Sequence, residues 1–240
     1  TSDNAPYVYG FKHVCTRTMN GDTITNAVHT FTAVELANFT YDSANQKWDA
    51  STLNETAVVH AADKMACHFA RIGVIDNLST RHIKYYVNPN NLNKKLDGTD
   101  SVLNGDDGEV MTEFPTSQFM RIASTEGNVD TEYIFMSRSK FGYGANTSDW
   151  HDSFKVSPDG TVVRKQYMGY YQASTATLNI GGTNKTCLRS VSGVYPAVST
   201  SLNNFLTYAE NYGGSVCNEA HYEWLHFLFI TQKLAAHTQG

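Results

Sequence analysis

Charge is scarce in this chain, and positive charge scarcer than negative. Only 17% of its 240 residues are Asp, Glu, Lys or Arg, and 18 Lys plus Arg stand against 23 Asp plus Glu. No basic block breaks that balance, so a phosphate backbone would meet little concentrated positive potential, and a nucleic-acid partner is not expected. Long apolar runs are missing too: none reaches the ~18 residues of a membrane span, so membrane insertion is not expected. Proline is rare, and the four cysteines, Cys15, Cys67, Cys187 and Cys217, form no CxxC or finger-like pair. A zinc site would need ligands from distant segments. The cysteines read as reduced thiols, with Cys187–Cys217 the one pair worth testing for a bridge.

What the chain has in quantity is apolar and aromatic surface: 41% hydrophobic residues, including 14 Tyr and 12 Phe. That is too much for a disordered chain, and the length suits one large domain or two small ones. Five Asn-x-Ser/Thr sequons, at Asn38, Asn54, Asn77, Asn146 and Asn184, permit glycosylation without indicating it in a chain this rich in those residues.

The first segment, 1–87, reads as a mostly β accessory region with one short helix. Tyr7-Val8-Tyr9 starts a strand that Gly10 should end. Asn20-Gly21 suits a tight hairpin turn. Val58, Ala61, Met65, Phe69 and Ile72 recur at helical spacing, predicting a helix over Ala57–Ile72 stopped by Gly73. Tyr85-Tyr86-Val87 is a strand. Residues 88–108, rich in Asn and Asp-Gly steps, form a turn-rich seam. The remainder, 109–240, is expected to be an α+β domain. Its strands are Val110–Phe114, Phe119–Ile122, Glu132–Met136, Tyr167–Tyr171 and Lys185–Val191. Turns are expected at Gly127-Asn128, around Pro158-Asp159-Gly160, and at Asn179–Thr183.

Two helices should close the chain. Ser199, Thr200 or Ser201 can cap the first, whose face is Leu202, Phe205, Leu206, Ala209 and Tyr212, and Gly213-Gly214 ends it. The second runs from about Ala220 to Ala236, and its centre, Trp224 to Ile230, is apolar on every side. Such a helix must be enclosed, by the first segment, by a partner chain, or by polypeptide continuing past Gly240. Strands followed by helices imply helices packed on a twisted antiparallel sheet.

Chemistry is hard to find. His221 and His226, with Glu219 and Glu223, are five residues apart, about 140° around a helix, which misses the one-face spacing of a zinc protease. His60, Asp63, Lys64, Cys67 and His68 lack a visible orienting group or oxyanion site, so a buried thiol is the plainer reading. Asp97, Asp100, Asp106, Asp107 and Glu109 do not match a calcium loop and read as solvated turn carboxylates. Glu113 and Glu132 give no basis for a glycosidase pair. No catalytic residue, metal site or cofactor is expected. The aromatics beside turns, Tyr143, Trp150, Tyr167, Tyr170, Tyr171 and Tyr195, are the ligand-contact candidates, because polar-edged rings bury area with few rotamers to freeze.

Several segments carry a resemblance. Tyr85–Asn91, Lys94–Thr99, Glu113-Phe114-Pro115, Tyr133–Ser137, Met168–Ser174, Leu188–Pro196, Asn203-Asn204-Phe205, Tyr208-Ala209 and the Trp224 helix occur in collinear order over residues 80–236. Together they resemble bacteriophage and prophage tail-associated proteins with a C-type-lectin-like domain, the fold shared by formylglycine-generating enzymes and retroelement variable proteins. The resemblance implies a C-type-lectin-like α+β fold and a virion-surface location in the tail or capsid. It implies tail-fibre or receptor-binding work on a host-surface glycan or protein, and a homo-oligomer or contacts with other virion proteins. A purely structural tail or capsid component is the alternative, and a lectin-fold or polysaccharide-degrading enzyme the second. Relatives of this kind carry a further Gly- and Trp-rich segment after the second helix, so the lectin-like domain is expected to be truncated here. The scaffold residues are then Arg189, Gly193, Pro196, Phe205, Trp224 and Leu228. Arg189 could tie the Ser192-Gly193 loop to carbonyls or a carboxylate, and Pro196 could stiffen the connection.

Overall fold

The computed structural model describes residues 5–56, 71–76, 82–151 and 161–233. The chain is α+β and mostly strand, and it divides into two compact units. The first comprises Thr1–His68, Thr116–Arg164 and Glu219–Gly240; the second comprises Phe69–Pro115 and Lys165–Asn218. The units interleave along the chain, and residues 88–108 fall inside the second.

The first unit is built on an eight-stranded sheet. Its strands are β1 (Val8–Asn20), β2 (Thr23–Asp42), β3 (Lys47–Thr56), β8 (Gln118–Glu126), β9 (Val129–Ser137), β10 (Phe141–Tyr143), β11 (Asn146–Thr147) and β12 (Asp149–Trp150). The order is β11-β10-β3-β2-β1-β9-β8-β12. All pairs are antiparallel except β10 with β3. The two edge strands are consecutive in sequence, and Ser148 between them draws the sheet nearly closed. Its N–H donates to the Phe141 carbonyl at 2.6 Å. Its Oγ accepts from Phe141 N–H at 2.7 Å and donates to Gln118 Oε1 at 3.3 Å. Alternation along the strands puts Val8, Val34, Leu36, Ala50, Met120, Phe135 and Phe141 in one core.

The opposite face carries Phe11 and Ile134, and the second helix, α2 (Glu219–Lys233), covers it. The α2 residue Phe227 stacks on Phe119 with centroids 5.2 Å apart and meets Phe11 at 6.1 Å. Ile230 joins Phe11 and Ile134 in that core, and Trp224 and Leu228 are buried. The apolar helix is thus enclosed in part by the first segment of its own chain.

Gly10 does not end the first strand. β1 continues through it to Asn20, with Gly10 paired to Phe135 on β9. The glycine is there because the neighbouring backbone is too close for a side chain: a Cβ would stand 1.7 Å from the Ile134 carbonyl oxygen. The turn at Gly21 does form, with Gly21 at φ 59°, as does the hairpin at Gly127-Asn128.

The second unit holds a five-stranded antiparallel sheet of β4 (Arg71–Ile75), β5 (Ile83–Asn88), β6 (Asn91–Lys95), β7 (Glu109–Pro115) and β13 (Lys165–Gly169). Their order is β13-β7-β4-β5-β6. A hairpin of β14 (Ser174–Ile180) and β15 (Thr183–Arg189) and the helix α1 (Leu202–Asn211) complete it. Ser201 caps α1, accepting from Asn204 N–H at 3.3 Å. Gly213, at φ 79°, ends it. The two helices therefore belong to different units instead of packing together on one sheet. The helix expected over Ala57–Ile72 lies outside the described residues up to position 70. Its last residue Ile72, and Gly73 beyond it, are strand β4, paired with Thr112 and Met111. The turn around Pro158 also lies outside the described residues. Among those residues no helix is long and apolar enough to cross a membrane.

Candidate functional site

The six aromatic candidates are divided between the two units. Tyr143 and Trp150 belong to the first unit, where Tyr143 packs against the core and Trp150 lies on β12. Tyr167, Tyr170, Tyr171 and Tyr195 belong to the second. There Tyr167 is committed to the scaffold: its hydroxyl donates to Glu113 Oε2 at 3.0 Å. Glu113 is buried and also accepts from the Tyr86 hydroxyl and Lys165 Nζ, each at 3.1 Å to Oε2.

The rest of the second unit is organised around a second buried carboxylate. Glu109, 1% exposed, accepts from Arg189 Nε at 2.6 Å and from Ser190 N–H at 2.7 Å. Arg189 Nη2 also donates to the Gly105 carbonyl at 3.0 Å. Glu109 is thus no solvated turn carboxylate but the anchor that fixes the end of β15 to the start of β7. Burial pushes its carboxyl above the usual range, against the pull of the Ser190 N–H and the Arg189 guanidinium. The neighbouring carboxylates do stay at the surface: Asp97 accepts from Thr99, Asp100 pairs with Lys94 at 2.6 Å, and Asp107 pairs with Lys84 at 2.8 Å.

This anchor holds the segment that follows. Ser190 Oγ donates to the Val110 carbonyl at 2.7 Å and accepts from Tyr171 N–H at 2.9 Å. Backbone bonds Val110 N–H to Ser190 O, Ser192 N–H to Leu103 O and Ala197 N–H to Ala173 O, each 2.8 Å, fasten residues 190–197. From that fastened base the side chains turn outward. Tyr195 is 93% exposed, Val198 78% and Leu202 69%, and Val194 and Leu206 are exposed as well. Leu202 and Leu206 lie on the face of α1 read as core, which is therefore only half used: Ala209 is buried while those two face solvent. Gly193, at φ 76°, and Pro196 are exposed inside the run.

Beside its start lies an open cleft of about 530 Å³ lined by Leu92, Asn93, Ser101–Asn104, Tyr171 and Ser192. Tyr170 meets Tyr171 edge to face at 5.0 Å and is partly exposed. Tyr171, Tyr170 and Tyr195 are thus the candidates that reach this surface. Burial and the neighbouring Tyr170 raise the Tyr171 hydroxyl, so it is a neutral donor at physiological pH. The cleft and the outward run together can hold an apolar or aromatic partner against a rigid frame, with amide and hydroxyl groups at its edge.

A polar cluster not foreseen from the sequence lies on the first unit. Glu132, His13, His29 and Cys15 form a line across β9, β1 and β2. Glu132 Oε2 is 3.9 Å from His13 Nδ1. His13 Nε2 is 2.9 Å from His29 Nδ1, and His29 Nε2 is 4.0 Å from Cys15 Sγ. His29 gives a different nitrogen to each neighbour, so the donors do not aim at one point. Among the described residues no three of His, Cys, Asp and Glu converge as metal ligands, those of α2 included. The His60 group lies outside the described residues, and Cys15, Cys187 and Cys217 are free thiols.

Burial and His29 hold the His13 imidazole below its ordinary 6.5, and burial does the same to His221. A depressed histidine binds fewer protons folded than unfolded, so its contribution is complete above 6.5 and is lost as pH falls toward the folded value. The melting temperature is therefore expected to drop as pH is lowered through 6.5, with a shallower drop in His13→Gln. An identical slope in that variant would remove His13 from the explanation.

Compared with protein-family models, with curated proteins and with solved structures, the chain matches none.

Proposed function

We propose that the chain is a non-catalytic recognition module of a virion surface, tail- or capsid-associated, that attaches to a host-surface glycan or protein through its second unit. One observation carries this reading: Val194, Tyr195, Val198, Leu202 and Leu206 stand in solvent on a segment fastened by Glu109, Arg189 and Ser190. Exposed apolar side chains in such a run mark interaction sites, and a fixed base lowers the ordering cost of binding. Tyr195 and the Tyr170–Tyr171 pair offer rings for stacking on a sugar or a hydrophobic side chain. A C-type-lectin-like assignment belongs to the same proposal. It draws support from the resembling segments Met168–Ser174, Leu188–Pro196 and Asn203–Ala209, all of which contribute to the second unit.

The test is adsorption. Particles carrying Tyr195→Ser with Val198→Ser are expected to bind host cells roughly 30-fold less well, the weight of one hot-spot residue. The isolated variant chain should melt as the parent does, because both positions are exposed. Full adsorption by well-formed particles would overturn the reading. The aliphatic character of Val194, Val198, Leu202 and Leu206 favours one alternative, a permanent contact with another virion protein. In that case the same variant blocks particle assembly and adsorption is never reached.

A further inference from the structure

The line of Glu132, His13, His29 and Cys15 has a direction. The four side chains share one face of the sheet: Cys15 is opposite His29 on β2, and His13, two residues before it, is opposite Glu132 on β9. Glu132 Oε2 lies 3.9 Å from His13 Nδ1, and Arg121 pairs with the same carboxylate. A carboxylate only accepts, so it favours the His13 tautomer with its N–H on Nδ1. The His13 lone pair is then on Nε2. His29 Nδ1, 2.9 Å away, supplies the hydrogen of that contact, which leaves the His29 lone pair on Nε2. That nitrogen stands 4.0 Å from Cys15 Sγ. The two imidazole planes are 12° apart with centroids 5.1 Å from each other, so the much shorter nitrogen pair is a contact through the ring edges, along the lone pair. Phe31 stacks on His13 at 4.7 Å and holds that ring. Burial and His29 keep the His13 imidazole below its ordinary value, so it is neutral near pH 7, as an acceptor must be.

We propose that Cys15 is a nucleophilic thiol that exchanges with external disulfides, with His29 as its base and His13 and Glu132 as positioning residues. The thiol gives its proton to His29 Nε2 as Sγ attacks one sulfur of the incoming disulfide. The new S–S bond forms as the old one breaks, and the departing thiolate takes the proton from His29. The products are a mixed disulfide at Cys15 and one free thiol, and the incoming disulfide is the oxidant. The surroundings favour this reactant over an ester or amide. Attack on a carbonyl develops an oxyanion that needs N–H donors, and β1 is flanked on both sides by β2 and β9, so its amides serve the ladders. Attack at sulfur develops no oxyanion. The approach is open, with His29 exposed and Cys15 partly so, and nucleophile–base contacts of this kind are commonly loose until a reactant is bound. Asp130, opposite Cys15 on β9, is held by Arg17 at 2.9 Å. Cys187 is buried with its Sγ on the Lys185 carbonyl, and burial raises the thiols of both Cys187 and Cys217. The site lies on the first unit and does not depend on the recognition reading of the second.

Glutathione disulfide added to the full chain tests it, with the added mass read on each cysteine's own peptide. At pH 7 Cys15 is expected to form the mixed disulfide roughly 10-fold faster than Cys217. An unassisted thiol slows about tenfold for each pH unit below about 8.5, and Cys15 in the parent should slow less. In His29→Gln, Cys15 should react about 10-fold more slowly at pH 7, and the deficit should vanish near pH 9.5, where a thiol ionises unaided. His13→Phe keeps a ring on Phe31 but removes the acceptor that fixes the His29 tautomer, and should show the same pattern less steeply. Cys217 should react alike in all three chains. A parent whose Cys15 is no faster than Cys217, or slows with the full unassisted slope, overturns the proposal. So does either variant at the parent's rate at pH 7. A deficit that persists undiminished at high pH overturns it too, because a merely structural role gives that result.

Discussion

Arg189→Met is expected to lower the stability of the chain by about 3–5 kcal/mol, the range for removing one partner of a buried ion pair. The reason is what stays behind. Glu109 is almost wholly buried, and its charge is met by Arg189 Nε and the Ser190 N–H. Methionine fills much of the arginine volume but leaves the carboxylate without its cation. Two further measurements separate this from simple loss of packing. Adding Glu109→Gln to Arg189→Met should recover most of the loss, since a neutral amide needs no counter-charge. The loss should also depend on pH. Burial already raises the Glu109 carboxyl above 4.5, and without Arg189 it rises further. A carboxyl raised by folding binds more protons folded than unfolded, so its contribution is present below 4.5 and is lost as pH climbs through the folded value. The variant is therefore expected to be least impaired in acid and most impaired near neutrality. A loss below about 1 kcal/mol that is flat with pH would reduce the pair to a surface bridge.

The second large effect is expected at a residue with no side chain. Gly10→Ala puts a methyl group 1.7 Å from the Ile134 carbonyl oxygen and 2.8 Å from its carbon. Those atoms are backbone of β9, the central neighbour of β1, and no rotamer can move them aside. Overpacking costs up to about 3 kcal/mol where side chains yield. Here the strands must separate, so the expected loss is at least that. Gly21→Ala provides the control: its φ of 59° is strained for alanine, whereas Gly10 has no positive φ, but a Cβ at Gly21 meets nothing within 4 Å, and about 1 kcal/mol is expected. Denaturant midpoints of the two variants should differ widely. Equal midpoints would mean that β1 and β9 can part locally at no great cost.

Local signals carried much of the β content. Asn20-Gly21 and Gly127-Asn128 gave two of the hairpins of the first unit, β1–β2 and β8–β9, because their turn chemistry acts over four residues. Ser201 and Gly213 fixed the ends of α1 for the same reason. Arg189 was read as a tether to carbonyls or a carboxylate, and it proves to bind both the Gly105 carbonyl and Glu109. Glu109 itself was misread. Among Asp-Gly turns it looks like one more solvated acid, and only the packing of β7 against β15, 80 residues apart, removes it from water. Gly10 misled in the opposite sense: glycine next to a strand signals an end, unless a neighbouring chain comes too close for a Cβ, which depends on a partner more than a hundred residues away.

The line of His13, His29 and Cys15 shows where local reading stops. Counting back from Asn20↔Thr23 in a regular hairpin sets Cys15 opposite Val28. A bulge between Thr18 and Met19 shifts the register by one, so that Cys15 faces His29 and His13 faces Phe31. One extra residue in a strand turns every later side chain to the other face, and no nearby residue announces it.

Composition, turn residues and helix caps act between neighbours, and so the amino-acid order by itself settled an α+β chain with few charges and a final helix needing cover. The folded chain decided what was near what: the closing of the sheet at Ser148, the parting of the two helices into separate units, the burial of Glu109, and the exposure of Tyr195. Each of these turns on desolvation or steric contact between segments far apart in sequence, and those energies exist only once the segments have met.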